Sequence, residues 1–229
     1  MKVAFRHDPS FTVARCQLAG GEQMRAESGA MYAHSAGVTF DAKIEGGVMA
    51  GLRRSVLGGE SMFQTTYTAP PQGGWVDVAA NLPGDAITID LEPGQDVFYL
   101  TRGCWLANSA AVTIDTKWGG ARNLFGGEGG FLVEARGQGV VVASCFGALD
   151  VVDLEAGERV VIDTGHVVAY APTVHYEIRR AVQGRSIASM KSGEGFVFEF
   201  TGPGRVLTQS RNPSGLLKYL SANMPGSRA

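Results

Sequence analysis

Charge is sparse in this chain: Asp, Glu, Lys and Arg make up 18% of its 229 residues, against the ~25% usual for globular proteins. With 20 basic and 22 acidic residues the formal net charge is -2. No global positive field is available to draw nucleic acid or anionic lipid. Cysteine is scarcer still. Cys16, Cys104 and Cys145 are odd in number and form no C-x-x-C pair, which reads as buried reduced thiols rather than a disulfide framework. Long apolar runs are missing, and nothing approaches the ~20 residues of a membrane span. The N-terminal stretch Met1-Lys-Val-Ala-Phe-Arg-His-Asp-Pro9 carries no apolar segment of useful length, so no signal or transit peptide is expected. The expectation is a cytoplasmic protein, with any membrane association peripheral.

Catalytic signatures are missing too. No Gly-x-Ser-x-Gly elbow and no P-loop occurs. The histidines, His7, His34, His166 and His175, include no His-x-His pair, which a cupin-like metal site would need for its side chains to converge. His166 and His175 lie an odd number of residues apart with Ala171-Pro172 between them, which argues against a shared metal. No catalytic, cofactor or metal residue is therefore expected. A cupin-like metal enzyme is the weakest of the alternatives.

What is abundant is glycine, with 32 residues, in a chain that is 45% hydrophobic. Glycine without a collagen period implies many tight turns between short strands, and the apolar content suffices for a core. Helical periodicity is nearly absent. Only Pro213–Asn223 reads as a helix, with Pro at its start and Leu216, Leu217 and Leu220 on one side. Short β-branched or aromatic runs bounded by Gly, Pro or Asn predict strands throughout: Ala86–Leu91, Val97–Leu100, Val112–Asp115, Val140–Phe146, Val160–Asp163, Val167–Tyr170 and Val206–Gln209. In Phe196–Phe200 the three phenylalanines alternate with Val197 and Glu199.

Self-similarity organises these strands. Leu18 to Met31 matches Leu154 to Val167 at a constant offset, with Gly21-Glu22 against Gly157-Glu158, and Leu91-Glu-Pro-Gly94 is the middle copy. Turns at Gly59-Glu60, Gly127-Glu128 and Gly193-Glu194 form a second series in the same order. Two markers recurring three times predict three β-units, 1–75, 76–147 and 148–212, each of six to eight strands in two facing sheets. A short helix and tail over 213–229 complete the chain. Each Glu of a Gly-Glu turn is expected to accept backbone N–H bonds or to face water. Gly202-Pro203-Gly204 and Gly137-Gln138-Gly139, between strands and with no helix after them, read as hairpin turns.

Four ordered runs carry a resemblance: Gly58-Gly-Glu-Ser-Met-Phe63, Leu82-Pro-Gly-Asp-Ala-Ile87, Asp163-Thr-Gly-His-Val-Val-Ala169 and Phe200-Thr-Gly-Pro-Gly-Arg-Val206. Together they resemble the mitochondrial biogenesis (altered inheritance of mitochondria) family and its bacterial members of unknown function, over about Gly21 to Arg211. The resemblance implies an all-β fold of three short double-stranded β-helix or β-sandwich units like that of the tryptophan RNA-binding attenuation protein. It implies a homotrimer, in which nine such units form a ring. It supplies no activity.

One further segment stands out. Gly46-Gly47-Val-Met49-Ala-Gly-Leu52-Arg53-Arg54 is apolar, glycine-rich and edged by arginines, a pattern that suits subunit packing or docking on a partner or membrane surface. RNA binding would need matched basic positions in successive units. Arg53-Arg54 in the first unit and Arg179-Arg180 in the third have only Arg122 in the corresponding part of the second, which disfavours it. The expectation is a non-enzymatic β-ring acting as a scaffold or binding module, with a small-molecule or RNA-binding ring as the alternative.

Overall fold

A computed structural model describes residues 1–43, 64–92, 97–101, 103–117, 132–180 and 196–224. Its strands follow one another as β1 (Lys2–Arg6), β2 (Val13–Leu18), β3 (Gln23–Glu27), β4 (Met31–His34), β5 (Thr39–Lys43), β6 (Gln64–Thr68) and β7 (Gly74–Ala79). Then come β8 (Ala86–Leu91), β9 (Val97–Thr101), β10 (Trp105–Ser109), β11 (Val112–Lys117), β12 (Leu132–Gly137) and β13 (Gly139–Ser144). The last are β14 (Leu149–Leu154), β15 (Arg159–Asp163), β16 (Val167–Tyr170), β17 (His175–Arg180), β18 (Phe196–Thr201) and β19 (Gly204–Gln209). Helix α1 (Pro213–Asn223) ends the described chain. Its Asn212 side chain accepts the Ser214 N–H, Pro occupies its first turn, and none of its residues is buried.

The strands form four sheets, of order β1-β2-β7-β4, β5-β6-β3-β10-β13-β8, β11-β12-β9-β16-β19-β14 and β15-β18-β17. None of the four closes on itself. The pairings fall into recurring kinds, all antiparallel. β2 pairs with β7, β8 with β13 and β14 with β19. β7, β13 and β19 take second neighbours in β4, β10 and β16, and each of these ladders slips by one residue, at Tyr32, Leu106 and Val168. Such a slip is a β-bulge, which twists the strand and re-aims its side chains. β3, β9 and β15 pair with β6, β12 and β18, which pair in turn with β5, β11 and β17.

The Gly-x-Gly turns expected to be hairpins are corners instead. β12 and β13 belong to different sheets, as do β18 and β19. At Gly137-Gln138-Gly139 and Gly202-Pro203-Gly204 the chain therefore leaves one sheet and enters another. The backbone explains the glycines. Gly137 has φ +112° and a Cβ there would sit 2.4 Å from the Ala111 carbonyl oxygen. Gly204 has φ +141°, with Thr173 Oγ1 2.4 Å from any added Cβ. L-residues are disfavoured in both places.

Burial follows the alternation. In β2, Ala14, Cys16 and Leu18 point inward; in β3, Met24 and Ala26 do. Three apolar clusters result. One joins Cys16, Met24, Tyr67 and Val76 to Leu106 and Val142. A second joins Leu100, Trp105 and Val133 to Val168, Ala169 and Leu207. The third holds Tyr170, Phe198, Phe200 and Val206, with Tyr99 and Tyr176 packed against it. Its rings interlock, Tyr99 stacking on Tyr170 and Phe198 on Phe200, each pair with centroids 5.1 Å apart. The first two clusters each borrow residues from strands later in the chain, which ties successive parts together.

Candidate assembly interface

β3 and β9 each use both edges. β3 pairs with β6 on one side and with β10 on the other, where Ala26 faces Ala107 and Arg25 faces Asn108. β9 pairs with β12 and with β16, where Leu100 faces Ala169 and Tyr99 faces Tyr170. β15 pairs with β18 alone. Likewise β10 and β16 are paired on both sides, whereas β4 has β7 on one side and no described strand on the other. Among the described residues β4 and β15 are thus the two open strands both of whose counterparts are doubly paired; β8 and β14 are also open, but of their counterparts only β2, which takes β1, is paired on both sides. An open edge presents a row of unpaired backbone N–H and C=O groups.

Each of these edges carries exposed apolar side chains. Tyr32 in β4 is 68% exposed and Met31 37%, while Leu106 and Trp105 at the same places in β10 are 1% exposed. Val168 and Val167 in β16 are likewise buried. Val161 in β15 is 61% exposed, and Phe40 in β5, beside β4, is exposed as well. The same bulge that aims Leu106 and Val168 into a core aims Tyr32 at solvent.

Charges flank each edge and are internally matched. Beside β4, Asp77 is 1% exposed and accepts two bonds from Arg15, at 2.8 and 2.9 Å, and another from Arg6. The Arg15 guanidinium also lies over the Trp75 ring, 3.9 Å from its centroid. Beside β15, buried Glu199 pairs with Arg159 and Arg179, and Arg179 also reaches Glu177 at 2.9 Å. In each case partly exposed guanidiniums pair with a buried carboxylate and offset part of the cost of taking it out of water.

The residues singled out in the sequence are dispersed. Gly46, Gly47, Met49, Leu52, Arg53 and Arg54 lie outside the described residues, as do Gly59-Glu60, Gly127-Glu128, Gly193-Glu194 and Arg122. Glu22 and Glu158 are turn residues: Glu22 accepts the Ala19 N–H and Glu158 the Glu155 N–H, each at 2.8 Å. Burial works to raise Glu22, but the N-terminal ammonium and the Ala19 N–H outweigh it and hold the carboxylate below its usual range. His166 Nδ1 bonds the Gln209 carbonyl at 2.7 Å, and His175 opens β17 opposite Thr201. Among the described residues no three His, Cys, Asp or Glu side chains gather as metal ligands. Burial pushes the Cys16 thiol up to about 12 and the Cys104 and Cys145 thiols up to about 11, so at neutral pH none is a thiolate nucleophile. No described helix is long and apolar enough to cross a membrane. The open edges went unread because neither carries a motif. The one signal was the alignment of Leu18–Met31 with Leu154–Val167, which spans β3 and β15 and reaches the first residues of β4 and β16.

The fold and its open edges define an all-β protein of several open sheets with a short C-terminal helix. Residues 3–211 match the family described as Mitochondrial biogenesis AIM24, and the chain belongs to that family. It is 30% identical to an uncharacterized protein of Streptococcus pyogenes serotype M6 over 236 aligned positions, covering 99% of this chain and 92% of the relative. The crystal structure of a Streptococcus pyogenes protein superposes with a TM-score of 0.79 at 27% identity, covering 96% of this chain and 98% of that one.

Proposed function

We propose that the protein is a non-enzymatic building block: a homotrimer that acts as a scaffold or binding module, each chain contributing three copies of one β-unit. The observation that carries this reading is the bookkeeping of strand edges. Four kinds of ladder recur three times, β1–β2 occurs once with no counterpart later in the chain, and one recurring kind, linking a β3-type strand to a β10-type strand, falls short of three. That ladder occurs twice, as β3–β10 and β9–β16. The unused partners, β15 and β4, lie in the last and first units, so the missing third ladder forms between copies. A head-to-tail contact of this kind closes into a ring when the rotation permits. The family resemblance supports three copies as the closing number. β7 runs across residue 75, and in this reading the first unit is taken to extend through β7.

Burying an open, apolar edge gives the chain a physical reason to assemble, because an exposed edge is otherwise a template for uncontrolled pairing. Light scattering coupled to size-exclusion tests the reading. With a chain of 24.2 kDa, the expected mass is that of three chains, about 73 kDa. A monomer at micromolar concentration refutes it.

A further inference from the structure

The two ladders within the chain dictate the register of the one between chains, and we propose that Ala33 of one copy pairs opposite Ile162 of the next, and His34 opposite Val161. This rests on the homotrimer reading above.

The residue correspondence is fixed by counting. Glu27, Thr101 and Asp163 end β3, β9 and β15, and Met31, Trp105 and Val167 begin β4, β10 and β16, always four residues later. The bulge then falls one residue on, at Tyr32, Leu106 and Val168, and is followed by Ala33, Ala107 and Ala169. In both internal ladders this alanine faces the next-to-last residue of the partner strand: Ala107 faces Ala26 and Ala169 faces Leu100. Ile162 is the next-to-last residue of β15. The neighbouring pairs, Asn108 with Arg25 and Tyr170 with Tyr99, translate into His34 with Val161.

The side chains agree with this register. An alanine stands on the β4-type strand in all three ladders, and its partners, Ala26, Leu100 and Ile162, are all apolar. Leu106 lies in the cluster of Cys16, Met24 and Tyr67. Val168 lies in the cluster of Leu100, Trp105 and Val133. The same relation lays Tyr32 of one copy on the cluster of Phe198, Phe200 and Val206 of its neighbour. A shift by one residue turns every side chain to the other face and leaves Tyr32 in water.

Directly opposed residues in an antiparallel pair have Cα atoms about 4.5–5.5 Å apart, within reach of a disulfide. Diagonal neighbours stand at roughly 7–8 Å and are not. The test is a double variant, Ala33→Cys with Ile162→Cys, oxidised by glutathione disulfide under native conditions and run on a non-reducing denaturing gel beside the single variants. His34→Cys with Val161→Cys is a second pair in the same register, and Ala33→Cys with Val160→Cys is the shifted control. Bands at two and three chain masses are expected for at least one of the in-register pairs and absent from the control and the single variants. Light scattering on the wild-type protein separates the two levels. A trimer that cross-links only in the shifted pair, or in no pair, overturns the register and leaves the assembly standing. A monomer overturns both.

Discussion

Tyr32→Ala removes the side chain that has the most to gain from assembly. In the isolated chain Tyr32 is 68% exposed, whereas Leu106 at the same place in an internal ladder is 1% exposed. Assembly therefore hides about two thirds of a tyrosine side chain, roughly 130 Å² of the ~200 Å² such a ring presents. At ~25 cal/mol per Å² this is about 3 kcal/mol. Alanine keeps a small part of that, so each interface loses roughly 2–3 kcal/mol, a 30- to 150-fold weakening. The chain's own fold loses little, because the residue is exposed there. The assay is a dilution series followed by light scattering, with Tyr219→Ala as control. Tyr219 is similarly exposed, at 65%, but lies on helix α1. The expected result is a large upward shift in the concentration at which the Tyr32 variant dissociates and none for the Tyr219 variant. Equal midpoints for wild type and Tyr32→Ala refute the placement of this side chain in an interface.

Four further outcomes follow from the packing. Arg15→Met strips Asp77 of its bidentate partner and leaves a buried carboxylate with Arg6 alone, which costs about 3 kcal/mol and lowers Tm by roughly 6–12 °C, measured by thermal unfolding. Gly137→Ala forces an L-residue to φ +112° against the Ala111 carbonyl, and a loss of at least ~2 kcal/mol is expected in a denaturant titration. Burial raises Glu27 above the usual carboxylate range. Its charge therefore destabilises the fold above its unfolded pKa, and that burden lifts as pH falls through the raised folded value. Glu27→Gln is expected to raise Tm at pH 7, with the gain disappearing in acid, measured by thermal unfolding at both pH values. The thiols at Cys16, Cys104 and Cys145 are expected to resist a colourimetric thiol reagent in native protein at neutral pH and to react once the protein is unfolded.

Much of the fold was legible because β structure writes itself in alternation and punctuation. Ala86–Leu91, Val167–Tyr170 and Pro213–Asn223 have the bounds read from their residues alone. Strands such as β4 were not, since Met31-Tyr-Ala-His34 has neither alternation nor β-branched residues. Its conformation comes from pairing with β7 and from the bulge at Tyr32, both long-range facts. The sheet corners were misread for a similar reason. A Gly-x-Gly between two strands looks the same whether the second strand folds back on the first or enters another sheet, and only the partners at Ala111 and Thr173 decide. The proposed interface was invisible for a deeper reason: it is defined by a missing partner, and a sequence records which edges exist but not which are filled. The repeat offset came nearest, because it aligned Met31 with Val167, an exposed residue with a buried one.

The most direct measurement is amide hydrogen exchange on the native protein, resolved over β4 and β15 and compared with β10 and β16. An open edge leaves alternate amides without a partner, and these exchange at near-solvent rates. Paired edges protect Met31–His34 and Arg159–Asp163 as strongly as Trp105–Ser109 and Val167–Tyr170, and that is the predicted result. Fast exchange of alternate amides in β4 and β15, beside slow exchange in β10 and β16, contradicts the account.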